Sequence, residues 1–301
     1  MTPTIVRTIA DLRREIAVYR RGNPAGSVGF VPTMGYLHEG HASLLRRSAA
    51  DNGLTVLSVF VNPIQFGPNE DLDKYPRDEA RDLRIAAEAG ANLAFLPDVK
   101  EMYPTRRETT VSVTGITDRL CGASRPGHFD GVATVVAKLL NIVQPDRAYF
   151  GLKDAQQVAV IEKMTRDLNM PVEIVPCPIV REPDGLALSS RNVYLGEEER
   201  ASALVLSRTL ELVADWILEG ASASEISARL KDAIGGVPAA DLEYAEILAY
   251  PELVPLDPGR PLRDTDETVL IALAARFGAT RLIDNRLLNP SKAGADPCFA
   301  K

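Results

Sequence analysis

Cysteine is scarce in these 301 residues: Cys121, Cys177 and Cys298 are odd in number, far apart and outside any Cys-x-x-Cys spacing. That argues against a disulfide framework and a thiolate zinc site, and leaves three packing thiols as the expectation. Histidine is as rare, with three in the chain, and tryptophan occurs once. No window approaches the ~18 consecutive apolar residues of a membrane span. The opening MTPTIVRTIADLRREIAVYRRG lacks the apolar centre of a signal peptide. Nor is there an excess of positive charge. The 34 Lys and Arg stand against 41 Asp and Glu, a formal net charge of −7 that offers nucleic acid no general basic surface. The expectation is a cytoplasmic protein acting on small molecules, with neither a nucleic acid nor a membrane as partner.

What is present is the composition of a folded protein, 46% hydrophobic and 25% charged, long enough for two domains. Its periodicity predicts an amphipathic helix from Ile9 to Arg21, then a short strand Val28–Val31 running into Pro32-Thr33-Met34-Gly35. A helix over His41–Asn52 follows, and then Leu54–Val61, an apolar run suited to a strand buried on both faces. The alternation continues with helices near 78–89, 131–143 and 156–168 and strands near 92–96, 147–150 and 172–175. It predicts an α/β fold: a Rossmann-like parallel sheet with helices on both faces, which binds ligands beyond the carboxyl ends of its strands. Arg181-Glu182-Pro183-Asp184-Gly185 breaks the pattern and sets an expected boundary, with one domain over 1–182 and a smaller α+β domain over 183–301. In the latter, helices are expected over 197–218 and 224–234, strands over 242–248, 268–274 and 280–283, and a loop over 251–261.

Two of the three histidines fall in Met34-Gly35-Tyr36-Leu37-His38-Glu39-Gly40-His41, between the first strand and its helix. In an open α/β sheet that turn is where a phosphate meets free N–H groups at a helix N-terminus. Glycines let the backbone approach closely, and imidazole donors stabilise charge growing on a transferring phosphoryl oxygen. A capping role alone would suit a lone histidine; the pair in this turn favours phosphate chemistry. Gly151-Leu152-Lys153-Asp154-Ala155-Gln156-Gln157 follows another strand, with Lys153 as a mobile charge for polyphosphate and Asp154 as an acceptor for ribose, or else as a helix cap. Leu188-Ser189-Ser190-Arg191 sets hydroxyls beside a guanidinium, a pairing suited to phosphate oxygens and equally common in exposed turns. Asn62 and Gln65, in Val61-Asn62-Pro63-Ile64-Gln65-Phe66, supply neutral amides beside apolar groups, fitting either a small hydroxylated ligand or loop backbone.

In this order, with Arg125-Pro126-Gly127-His128-Phe129 between them, these strings resemble the pantoate–β-alanine ligases, relatives of the nucleotidyltransferases and class I aminoacyl-tRNA synthetases. The resemblance covers most of the first ~190 residues. It implies that ATP and pantoate give pantoyl-adenylate and pyrophosphate, and that β-alanine then displaces AMP. It implies an ATP site at Met34 to His41, Gly151 to Asp154, Val180 and Leu188 to Arg191. Within that site His41 is the proton donor, and His38, Lys153, Ser189, Ser190 and Arg191 meet phosphate. Gln65 and Gln157 would hold pantoate, with Gln65 also near β-alanine and Asn62 at the same pocket. Magnesium is expected with the polyphosphate, with no firm protein ligand and Asp82 as an outer contact. A homodimer is the expected assembly. Leu152 stands where an acidic or amide residue is frequent and Leu188 where methionine is. Leu188 keeps the volume to pack on adenine, whereas Leu152 offers only backbone and packing.

Two other readings remain open at this point. One is a different nucleotidyltransferase whose phosphorylated substrate is held by Arg119 and Arg125, distinguished by whether turnover needs β-alanine and releases AMP. The other is a nucleotide-binding module without turnover.

Overall fold

A computed structural model describes residues 2–67, 72–73 and 75–292; Cys298 lies outside them. Its first elements are β1 (Thr4–Val6), α1 (Ile9–Gly22), β2 (Val28–Thr33), α2 (Glu39–Asp51), β3 (Leu54–Val59), α3 (Glu79–Glu88) and β4 (Leu93–Phe95). Next come α4 (Val99–Met102), α5 (Leu120–Ser124), α6 (His128–Val143), β5 (Arg147–Gly151), α7 (Ala155–Asp167) and β6 (Glu173–Cys177). After these lie α8 (Glu197–Leu218), α9 (Ala223–Gly235), β7 (Ala240–Ala249), β8 (Val254–Pro255), β9 (Val269–Phe277) and β10 (Thr280–Leu288). No helix of the described residues is long and apolar enough to cross a membrane. The chain separates into two compact units, residues 1–152 with 160–180, and residues 153–159 with 181–301. Lys153–Ala159, which a linear reading leaves with the first part of the chain, therefore clusters with the second.

The first unit is built on a six-stranded sheet in the order β1-β4-β3-β2-β5-β6, with every pairing parallel. Parallel neighbours need long crossovers, which the helices supply. Val31, Leu57 and Tyr149 on the central strands pack with Ala42, Leu44 and Leu45 of α2 and Ala86 of α3. Full burial of each such aliphatic side chain stabilises the fold by about 1.5–3 kcal/mol. From β2 the chain moves out through β3 to β4, and it later returns to lay β5 and β6 on β2's other side. The order therefore reverses between β2 and β5, the crevice in which open sheets of this kind bind ligands.

Tyr149 is fully buried on β5, where its hydroxyl accepts from Asn52 Nδ2 at 2.7 Å and donates to Asp51 Oδ2 at 3.1 Å. Burial pushes this phenol, and that of Tyr103, up to about 12 from 10.0. A raised folded-state value contributes stability that is present below pH 10.0 and is lost as pH rises through about 12. In an ultraviolet titration of the eight tyrosines, these two should ionise last and together with alkaline unfolding. Early ionisation of all eight in the folded protein would contradict this burial.

The second unit carries a four-stranded antiparallel sheet, β10-β9-β7-β8, with α8 and α9 sharing its core through Leu206, Leu210, Val213, Ile226 and Leu230 against Ile271 and Leu273. Helix α8 spans the expected residues. Helix α9 starts at Ala223 because Ser222 and Glu225 form a capping box. Four short elements, β1, α4, α5 and β8, depart from expectation. β1 joins the sheet edge through three residues only, too few to show a period, and β8 adds Val254–Pro255 to β7 inside the expected loop, an edge position that tolerates proline.

Candidate active site

The turn after β2 is shaped by glycine and by a buried carboxylate. Gly35 has φ +85°, and a Cβ there would meet Val59 Cγ1 at 2.9 Å and Asp82 Oδ2 at 3.0 Å. Tyr36 follows in the same left-handed region, at φ 51°. Asp82, on α3 and 2% exposed, accepts from the Tyr36 N–H at 2.9 Å and the Leu37 N–H at 2.6 Å. Burial raises its carboxyl above the ordinary 3.8, although those two N–H groups pull it the other way. Each oxygen accepts from the turn, so Asp82 serves as the strut of this loop. The Leu37 side chain is fully buried in the core with Leu45 and anchors the turn.

His38 and His41 do cap α2, and the capping fixes their chemistry. His38 Nδ1 accepts from the Gly40 N–H at 3.1 Å, and His41 Nδ1 accepts from the His38 N–H at 3.3 Å. A neutral imidazole whose Nδ1 accepts must carry its proton on Nε2. The two rings therefore stand 4.1 Å apart as Nε2–H donors at a positive helix end, an arrangement whose charge suits an anion. Glu39 points away to an ion pair with Arg46.

Below this turn lies an amide cluster. Gln65 ends a 3-10 turn, Pro63–Gln65, and Asn62 precedes it; both are buried. Asn62 Nδ2 donates to Gln65 Oε1 at 3.0 Å and to the Gly131 carbonyl at 3.2 Å, while Asn62 Oδ1 accepts from the Tyr103 hydroxyl at 2.9 Å. Gln65 Nε2 donates to Met34 Sδ at 3.2 Å, joining the amides to the histidine turn. The third histidine holds the backbone. Arg125 can only donate, so it donates to His128 Nε2 at 2.9 Å, and His128 Nδ1–H then donates to the Gln65 carbonyl at 2.9 Å. Arg125 is thereby tied into the scaffold, which weakens the reading of it as a second phosphate pocket. A Cβ on Gly131 would meet the Ile64 carbonyl at 2.5 Å and Gln65 Cα at 2.6 Å, so α6 lies against this turn with no room for a methyl group.

Strand β5 delivers Gly151 and Leu152 beside β2. In the second unit, the Lys153 carbonyl accepts from Asn285 Nδ2 of β10 at 2.9 Å, and Lys153 Nζ lies 3.5 Å from Asp154. Gln157 follows on α7, partly buried. The loop to Arg191 is tied at its base. Arg181 forks onto buried Asp284 at 2.6 and 2.9 Å, and Asn192 Nδ2 donates to Glu182 at 2.6 Å and to the Ala187 carbonyl at 3.1 Å. Ser189 Oγ accepts from the Arg191 N–H at 3.3 Å, capping the turn Ser190–Tyr194. Leu188, Ser190 and Arg191 are partly buried there, as is Val180 in the first unit. Sequence reasoning passed over Tyr103, His128 and Asn285 as site supports. Only His128 carried a signal, as the remaining histidine inside a quoted motif.

The comparisons with known proteins identify the family. The family described as pantoate-beta-alanine ligase matches residues 4–287. A pantothenate synthetase of Caldicellulosiruptor saccharolyticus is 57% identical over 260 residues, 86% of this chain and 90% of the relative. The crystal structure of pantothenate synthetase from Thermus thermophilus superimposes with a TM-score of 0.85 at 47% identity, covering 95% of this chain and 99% of the other. That of pantoate-beta-alanine ligase from Francisella tularensis, complexed with beta-gamma ATP and beta-alanine, gives 0.75 at 32% identity, covering 96% and 99%. The chain belongs to the pantoate-beta-alanine ligase family.

Proposed function

We propose that this chain joins pantoate to β-alanine at the expense of ATP, with the histidine turn at the sheet's reversal point as the place of phosphoryl chemistry. The observation that carries the reading is the pair of Nε2–H donors, fixed by capping at the end of β2 and next to β5. In the first half-reaction a pantoate carboxylate oxygen bonds to the α-phosphorus of ATP while the bond from that phosphorus to the leaving oxygen breaks, and pyrophosphate departs. In the second, the β-alanine nitrogen bonds to the acyl carbon, the acyl C–O bond breaks, and AMP leaves with the loss of an amine proton. His41 and His38 donate toward phosphate oxygens, and Lys153, Ser189, Ser190 and Arg191 balance the triphosphate charge. Gln65 and Gln157 hold pantoate through neutral amides, which leave its carboxylate lone pairs available to attack.

Magnesium enters with the phosphates. It is expected on phosphate oxygens and water, as is usual for this ion. The family resemblance also supports a cytoplasmic homodimer.

The protein incubated with ATP, magnesium, pantoate and β-alanine should yield pantothenate, AMP and pyrophosphate by mass spectrometry, and acyl-adenylate when the amine is omitted. AMP formation without any need for β-alanine would refute the assignment. Lys153→Ala should lower pantoate-dependent pyrophosphate exchange by more than about tenfold, and a normal exchange rate would remove Lys153 from the reaction.

A further inference from the structure

The turn that carries the histidine pair has little backbone left to offer an anion. The Gly35 N–H donates to Thr33 Oγ1 at 3.2 Å, those of Tyr36 and Leu37 donate to Asp82, that of His38 to His41 Nδ1 and that of Gly40 to His38 Nδ1. Beneath them sits the Asp82 carboxylate, whose charge repels a phosphate. The two imidazoles, neutral in this arrangement, donate hydrogen bonds but bring no net charge. Positive charge at the turn must therefore come from another side chain of the first unit.

Arg81, the residue before Asp82 on α3, is the cation placed there. Its guanidinium carbon stands 4.6 Å from the centroid of the Tyr36 ring. Three carboxylates share this end of the helix, and each is engaged elsewhere. Asp78 accepts from the Arg81 backbone N–H at 3.0 Å, Glu79 pairs with Arg7 at 2.6 Å, and Asp82 is bound to the turn. Among the described residues the Arg81 guanidinium makes no ion pair and no hydrogen bond. It is partly buried, whereas Arg77 and Arg84 on either side of it in the sequence are exposed. A guanidinium stacked on a ring by its flat face keeps its N–H edge available to oxygen ligands. Its field already reaches Asp82: burial raises that carboxyl, and Arg81 joins the Leu37 and Tyr36 N–H groups in drawing it down.

We propose that Arg81 is the cation of the histidine turn, its charge offsetting Asp82 and drawing the polyphosphate of ATP toward His38 and His41. The proposal rests on the phosphate-binding role given to this turn above. It adds to that role a residue outside every quoted motif, brought to the turn by the same helix that supplies the Asp82 strut.

Arg81 also packs on Tyr36, so the experiment must separate charge from packing. Arg81→Met keeps an unbranched stem against the ring and removes the charge, whereas Arg81→Lys keeps the charge. In pantoate-dependent pyrophosphate exchange at about 0.01 M ionic strength, the KM for ATP should rise about fivefold in Arg81→Met and less than about twofold in Arg81→Lys. The KM for pantoate should stay unchanged in both. Raising the ionic strength to about 0.15 M shortens the screening length from about 30 Å to about 8 Å, so the ratio of Arg81→Met to parent should fall toward about twofold. Equal losses in the two variants, a loss indifferent to salt, or an unchanged ATP KM in Arg81→Met would each overturn the proposal and leave the role of the turn standing. Failure of that role has a different signature, normal exchange in His41→Ala, and it takes the proposal with it.

Discussion

His41→Ala should lower the pantoate-dependent exchange of pyrophosphate with ATP by roughly 10²–10³-fold, the usual consequence of removing one preorganised donor from a developing oxyanion. The size of the effect follows from where the proton sits. His41 Nδ1 accepts from the His38 N–H, so the ring presents Nε2–H without any reorganisation when charge moves onto the phosphate. The same substitution deletes a helix cap, which costs about 1 kcal/mol and leaves the protein folded. Exchange assays should therefore show a large kinetic loss beside a small drop in melting temperature. Normal exchange in the variant would disconnect the histidine turn from the reaction.

Asp82→Asn should be nearly as damaging although it touches no substrate. Asparagine keeps the volume but replaces one acceptor with an NH2 aimed at a backbone N–H, so one of Tyr36 and Leu37 loses its partner in a buried turn. An unsatisfied buried donor costs about 1–3 kcal/mol, and the left-handed pair Gly35 and Tyr36 relaxes to avoid it. Exchange should fall at least about tenfold in kcat, because misplacing donors by a fraction of an ångström is expensive in a preorganised site. The magnesium concentration for half-maximal rate should not move. A variant restored by excess magnesium would make Asp82 a metal contact after all. The sign of its ionisation points the same way. A carboxyl raised above 3.8 by burial contributes stability below 3.8 and loses it as pH rises through the folded value, so burial here works against the ionised form.

Much of this was legible in the sequence where the signal is local. The β2 turn announced itself through two glycines and two histidines within eight residues, and the buried run after it could only be a strand. Helix α8 kept its expected limits because three glutamates open it and Gly220 follows its end. The supports were invisible for the opposite reason. Asp82 meets Leu37 across 45 positions, His128 meets Gln65 across 63, and Asn285 meets Lys153 across 132, separations that no periodicity or short motif encodes. Asn62 and Leu37 show the same limit, since each stands in a binding string while its side chain is buried. Position in a motif identifies the neighbourhood of a site, whereas side-chain direction is decided by the tertiary partners that fill the remaining valences.

The missing methyl group at Gly131 bears on any effort to re-tailor this enzyme for other acids. With helix α6 lying hard against residues 63–65, the floor under Gln65 has no slack to retreat into. Room for a bulkier acid must be carved from side chains around the amide, and a library that varies the residues of that helix while keeping its glycine preserves the floor. Any replacement of the glycine shifts backbone first and changes the pocket by accident.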